Sequence, residues 1–193
     1  MAYPATIEVQ TPEKLANWRP IGQIFMAIPH LAISYVLNAV AGVCAFISWF
    51  AILFTGKMPA GLANMICMSL RYQNRTMAYA GCLHDQFPPF DFTTTAAEPG
   101  GTPVQVNFQP TLEGRNRLTC ALRILWAIPA MIFTALIYVV AAVCSFIGFF
   151  AVLFTGKWPP AIRGWVLKGM SASLRLNAYA MLLTDVYPPF STE

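Results

Sequence analysis

Residues 46–59 read Phe-Ile-Ser-Trp-Phe-Ala-Ile-Leu-Phe-Thr-Gly-Lys-Met-Pro, and residues 146–159 read Phe-Ile-Gly-Phe-Phe-Ala-Val-Leu-Phe-Thr-Gly-Lys-Trp-Pro. The offset, 156 − 56 = 100, holds without a gap on either side. Upstream, Ala27-Ile28-Pro29 matches Ala127-Ile128-Pro129. Downstream, Arg75, Ala78-Tyr79-Ala80, Asp85 and Pro88-Pro89-Phe90 match Arg175, Ala178-Tyr179-Ala180, Asp185 and Pro188-Pro189-Phe190. Apolar residues alone recur by chance. Thr-Gly-Lys, Asp and Pro-Pro-Phe in register do not, so the chain holds two copies of one unit. The leaders repeat with a one-residue slip: 4–10 and 103–109 both alternate apolar and polar residues, the period of a short strand. Each unit therefore reads as a strand-like leader, a long apolar helix, a turn, a second helix and a Pro-Pro stop. Unit 1 is 1–92, the Pro-Gly-Gly-containing linker is 93–102, and unit 2 is 103–193.

Hydrophobic residues make up 57% of the chain and charged residues 10%, against about 25% charged in a soluble domain. The apolar residues are gathered into Ile21–Phe54 and Leu118–Phe154, each longer than the roughly 20 residues a spanning helix needs. The block at Ile21 is also too long for the core of a signal peptide, so it reads as a retained anchor. The fold class this predicts is an all-α membrane protein of two tandem helical hairpins, with about four transmembrane helices in one bundle.

The motifs Ala-Ile-Pro-His, Phe-Ala-Ile-Leu-Phe-Thr-Gly-Lys-x-Pro, Arg-x-x-Ala-Tyr and Asp-x-[Phe/Tyr]-Pro-Pro-Phe together resemble the DUF4389 family of bacterial membrane proteins, once per unit. The second unit departs at Ala130, where the first has His30. The resemblance implies a multi-pass protein of the bacterial cytoplasmic membrane and brings no activity with it.

Gly56-Lys57 and Gly156-Lys157 mark the ends of the long helices: glycine takes a left-handed cap and lysine suits the negative end of the dipole. At 1.5 Å per residue, about 34 residues reach roughly 50 Å, well beyond a hydrocarbon core of about 30 Å. The first helix is thus expected to tilt or to begin along the interface. The second helices, 60–84 and 160–184, carry polar stripes: Asn64, Arg71 and Arg75 in one, Lys168, Ser171 and Arg175 in the other. They either span with the stripe turned inward or lie along the interface. With four passes, Lys14, Arg19, Arg115, Arg117 and Arg123 share one side, which the positive-inside rule makes cytoplasmic together with both termini. The units are then parallel repeats about an axis along the membrane normal. Their leaders would lie together and pair as a ribbon.

The candidate ligand or lipid-binding residues are Arg71, Arg75, Lys168 and Arg175, because guanidinium groups suit bidentate phosphate contact. Asp85 and Asp185 oppose the dipole at helix C-termini and call for cationic partners, with Arg19 and Arg117 the candidates. His30 and His84 would be the axial pair of a b-type haem, an alternative that neither repeat-mate supports (Ala130, Thr184). The cysteines form no Cys-x-x-Cys pair and no metal or catalytic cluster can be assembled, so no cofactor is expected. Thr-Gly-Lys without the rest of a phosphate loop is a helix stop. The scattered basic residues do not suggest nucleic-acid binding. The reading is a non-catalytic accessory or scaffold protein whose partners are membrane lipids, other membrane subunits or a second copy. The rival is a small anion or lipid transporter with an arginine-lined path.

Overall fold

The structure is a computed structural model that describes residues 3–191. Strand β1 (Ala5–Val9) leads into helix α1 (Arg19–Thr55), a tight turn and helix α2 (Ala60–Ala80). The second unit repeats the order as β2 (Val104–Phe108), a short α3 (Arg117–Ala121), α4 (Arg123–Thr155) and α5 (Pro160–Ala180). The Thr-Gly-Lys motif ends both long helices in the same way. Gly56 and Gly156 sit at φ 72° and 68°, and their N–H groups donate to Ile52 and Val152 carbonyls at 2.8 Å. Each threonine hydroxyl donates back to the preceding turn, Thr55 to Ala51 and Thr155 to Ala151, both at 2.6 Å. The second helices stop at Ala80 and Ala180, four residues short of the expected 84 and 184, because Cys82 and Leu182 turn to φ 56° and 65°. Leu83 and Leu183 then donate to Ala78 and Ala178 in a Schellman-type cap.

The leaders pair antiparallel, with Ala5 opposite Phe108, Ile7 opposite Val106 and Val9 opposite Val104. Under the one-residue slip of the leader repeat (106 − 7 = 99), Ile7 and Val106 are equivalent residues facing each other. A local two-fold axis therefore passes between them. Contacts at the helix ends obey the same axis. Leu15 N–H donates to the Gly156 carbonyl at 2.7 Å, and its repeat-mate Arg115 donates to the Gly56 carbonyl at 3.1 Å. Asn17 adds side-chain bonds to Leu153 and Phe154 carbonyls. Trp49 donates to the Cys120 carbonyl at 3.0 Å.

The start of α1 thus lies at the end of α4, and the end of α1 lies at the start of α4. The start of α5 likewise meets the end of α2, where Trp158 Nε1 donates to the Cys82 carbonyl at 2.7 Å. The two hairpins are antiparallel, and the axis relating them is perpendicular to the helices. The parallel relation expected for four passes is not the one found: each unit's pre-helix loop satisfies the orphan carbonyls at the far end of the other unit's long helix.

Three layers result. On α2, Ser69, Tyr72 and Thr76 meet α1. Arg71 and Arg75, which meet β2 and the linker, lie roughly 110° around the helix from them. The ribbon accordingly packs on α2 and α5, and α1 and α4 form the opposite layer. Ile52, Ile66, Leu70, Val104, Val106, Val152 and Leu174 close the core between them.

The long helices turn their polar residues inward. Gln23, His30, Ser34 and Ser48 of α1 and Arg123 and Thr134 of α4 are buried, whereas Phe25, Val36, Phe46, Phe54, Ile124, Leu136, Phe146 and Phe154 are exposed. Between Arg19 and Lys57, and between Arg123 and Lys157, neither helix carries a charge. Both are long and apolar enough to cross a membrane.

Candidate functional site

The arginines on α2, the leading ligand candidates, have acidic partners within the chain. Arg71 and Arg75 are 2% and 4% exposed and are held by the linker. Arg71 Nε lies 3.2 Å from Glu98 Oε2. Its Nη groups donate to the carbonyls of Thr95, Ala96 and Ala97 at 3.0–3.2 Å. Arg75 Nη1 meets Asp91 Oδ2 at 3.1 Å, and its Nη2 binds Glu98 Oε1. Glu98 in turn accepts the Val106 and Gly100 N–H groups at 2.7 and 3.2 Å. Hydrogen bonds from Thr93, then the Arg75 guanidinium, hold the Asp91 carboxyl below the usual carboxylate range. Two guanidiniums and two carboxylates balance, so the cluster is a neutral lock between α2, the linker and β2. Arg71 Nε and both Nη groups, and both Nη groups of Arg75, are engaged within the protein, while Arg75 Nε has no hydrogen-bond partner among the described residues.

The equivalent face of α5 is built differently. Ser171 replaces Arg71 and Ser191 replaces Asp91. Arg175 lies under Tyr3, 5.8 Å from the ring centroid to Cζ, and the Tyr3 hydroxyl donates to the Arg175 carbonyl at 3.2 Å. Lys168 Nζ stands 4.9 Å over the Trp165 ring. Arg71 and Arg75 thus meet acidic and carbonyl groups of the linker side, whereas Lys168 and Arg175 meet aromatic rings.

The aspartates find cationic partners, one of them not the expected one. Asp85 lies 3.9 Å from Arg19, whose Nη1 also donates to the Asp85 carbonyl at 2.6 Å. Asp185 is bound by Arg115 at 2.7 Å and by Arg123, not by Arg117. Arg117 is exposed and lies against the Gly56 cap of the other unit. Arg123 is buried, with its guanidinium 4.2 Å over the Tyr179 ring and a 2.7 Å bond to the Thr184 carbonyl. Its repeat-mate Gln23 makes the matching bond to the His84 carbonyl at 2.9 Å. The same contact is thus made once with charge and once without.

His30 sits in an aromatic enclosure, and His84 is buried beside one ring. The His30 ring stacks on Phe90 at 4.3 Å, takes the edge of Phe87 at 4.7 Å, and its Nδ1 is 2.6 Å from the Tyr72 hydroxyl. His84 is 2% exposed, lies 5.7 Å from Tyr79, and is pushed down to about 4 by burial. A haem between them would have to displace these rings.

A groove of about 400 Å³ opens between α2, α4 and α5. Gln73, Asn74, Tyr138, Ser173 and Asn177 give it amide and hydroxyl groups, and no charged side chain lines it. No cluster of His, Cys, Asp or Glu able to hold a metal occurs among the described residues.

Sequence reading missed Glu98, Asp91, Arg115 and Arg123 as members of these networks. A signal existed for Arg123: it is the repeat-mate of Gln23, and both fall on the inward stripe. For Glu98 the signal was only the need of a buried guanidinium for a carboxylate, and its Pro-Gly-Gly surroundings have the composition of a spacer.

The fold and its charge locks define a class: a two-fold symmetric tandem of helical hairpins with two long apolar helices and its buried charges paired internally. Residues 21–91 and 117–192 each match the family described as Domain of unknown function (DUF4389), and the chain belongs to that family, carrying the domain twice. No curated protein and no solved structure matches it.

Proposed function

We propose that this is a non-catalytic integral membrane protein that acts as an accessory or scaffold component, associating with lipid and with a larger membrane complex. One observation carries the reading: α1 and α4 are inside-out relative to a water-soluble helix pair, with polar side chains buried and an uncharged apolar surface outward. Such a surface suits hydrocarbon, which supports the membrane reading. The bacterial cytoplasmic membrane, with both termini on the cytoplasmic side, is the location this reading adopts. The internal pairing of Arg71, Arg75 and Asp185 and the uncharged groove favour it over an arginine-lined anion path.

Purification from native membranes in mild detergent tests the reading. Co-migration with a membrane protein or with bound lipid is the expected result. A chain that migrates alone and lipid-free overturns it. If Arg75→Ala and Arg175→Ala abolish anion flux in reconstituted vesicles while preserving the fold, the transporter reading replaces it.

A further inference from the structure

We infer that α1 and α4 do not cross the bilayer but lie along it, with their exposed faces sunk in one leaflet and the β1–β2 ribbon in water on the same side. The inference rests on the membrane reading above and specifies its geometry.

The argument begins with the caps. Leu15 on Gly156 and Arg115 on Gly56 fix the long helices antiparallel. If α1 crossed the membrane from one side and α2 returned, α4 would have to begin on the opposite side, beside the end of α1. The connection from Gly81 to Asn116 would then have to traverse the hydrocarbon. That connection is not helical, and β2 is its only regular element. Irregular chain facing lipid leaves backbone N–H and C=O groups unpaired, which the bilayer core does not tolerate.

The ribbon makes the same point. Its two outer edges have no neighbouring strand. Its outward residues include Glu8, Gln10, Asn107 and Gln109, all exposed. The axis through Ile7 and Val106 sets the ribbon level with the middle of the helices. Upright helices would place Glu8 and both open edges at mid-bilayer depth. Laid flat, the same molecule points its two-fold axis along the membrane normal, and the ribbon faces water.

Length agrees. A helix of 37 residues is about 55 Å long, far more than a hydrocarbon core of about 30 Å, but a helix lying in the plane has no length limit. Lys14, Lys57, Arg117 and Lys157, exposed at the helix ends, then form a cationic rim at the level of lipid phosphates, flanking an uncharged apolar face.

The test is single-residue labelling. Glu8→Cys, Lys14→Cys, Lys57→Cys and Lys157→Cys, all exposed positions, are made one at a time. Each is treated with a membrane-impermeant maleimide in right-side-out and in inverted vesicles, with the unsubstituted chain as background for the native cysteines. The expected result is that all four label from the same side, with at least a tenfold preference over the other. Opposite sidedness of Lys14→Cys and Lys57→Cys, or failure of Glu8→Cys to label from either side, overturns the in-plane geometry while leaving the membrane reading standing. Recovery of the unsubstituted chain in the soluble fraction overturns the membrane reading itself and this inference with it.

Discussion

Glu98→Gln removes a buried charge with almost no change in shape. Glutamine keeps an oxygen to accept the Val106 N–H now bound at 2.7 Å, but removes the charge facing both Arg71 and Arg75. Those guanidiniums are 2% and 4% exposed and Glu98 is 8% exposed, so water does not replace the lost carboxylate. Asp91 alone, at 3.1 Å from Arg75, remains against two positive charges. Removing one partner of a buried ion pair costs about 3–5 kcal/mol. In a chain of this size each kcal/mol moves the midpoint by about 2–4 °C, so Tm should fall by roughly 6–20 °C. The assay is thermal unfolding in detergent followed by tryptophan fluorescence, with buried Trp158 as a native reporter. Adding Arg71→Met restores one cation to one anion, and the double variant should regain more than half of the loss. A drop below about 2 °C, or a double variant no better than the single one, would refute the view that the linker is clamped by a charge-balanced cluster.

Three further outcomes are expected. Burial holds His84 down to about 4 against an ordinary 6.5, so the folded state binds its proton later than the unfolded one. The stability that neutral His84 permits is intact above pH 6.5 and is lost as pH falls towards 4, by at most about 3 kcal/mol; His84→Leu should flatten an acid titration of Tm over that window, and an unchanged slope counts against it. Gly156→Ala should cost more than Gly56→Ala: both force a residue into left-handed backbone at about 1–2 kcal/mol, but the new Cβ at 156 meets the rigid Leu15 carbonyl while that at 56 meets the movable Arg117 side chain; equal melting shifts would contradict the closer packing at Gly156. Finally, Arg123→Gln copies the bond that Gln23 already makes and should be tolerated better than Arg123→Leu by about 1–3 kcal/mol, since leucine leaves the Thr184 carbonyl without its donor; indistinguishable denaturation of the two variants would dispose of the equivalence.

The repeat, the long helices and their Thr-Gly-Lys ends could be read from spacing, because each depends on residues close in sequence or on the offset of 100; the pairing of the leaders, which repeat at 99, was expected from a parallel four-pass layout that is not the one found. The mutual direction of the hairpins could not be read that way: an offset says that two units are alike, not how the axis between them lies. One clue was present in the leader slip. It makes Ile7 and Val106 equivalent, and two equivalent residues that face each other in a ribbon require a two-fold axis. The arginine stripe was seen, but its partners were not. A matched pair of cations invites an external anion, and Glu98 lies in a segment whose Pro99-Gly100-Gly101 suggests a spacer. The physical constraint that a buried guanidinium must be paired pointed to a carboxylate somewhere, and Asp91 and Glu98 were the acids nearest in sequence to Arg75 on its C-terminal side beyond Asp85. For Asp185, charge alone could not distinguish Arg115, Arg117 and Arg123; only the loop geometry at the start of α3 does so.

The reciprocal caps give the chain the grammar of a homodimer written in a single sentence. Leu15 on Gly156 and Arg115 on Gly56 are one self-complementary contact used twice, the mark of an isologous interface. A single hairpin of this kind would keep its glycine cap but leave the glycine carbonyl without a partner, and two separate copies could close each other in the same way. Fusing them frees each half to specialise while the shared frame persists. His30 facing Ala130, Arg71 facing Ser171 and Gln23 facing Arg123 across the offset are what such release from strict symmetry looks like.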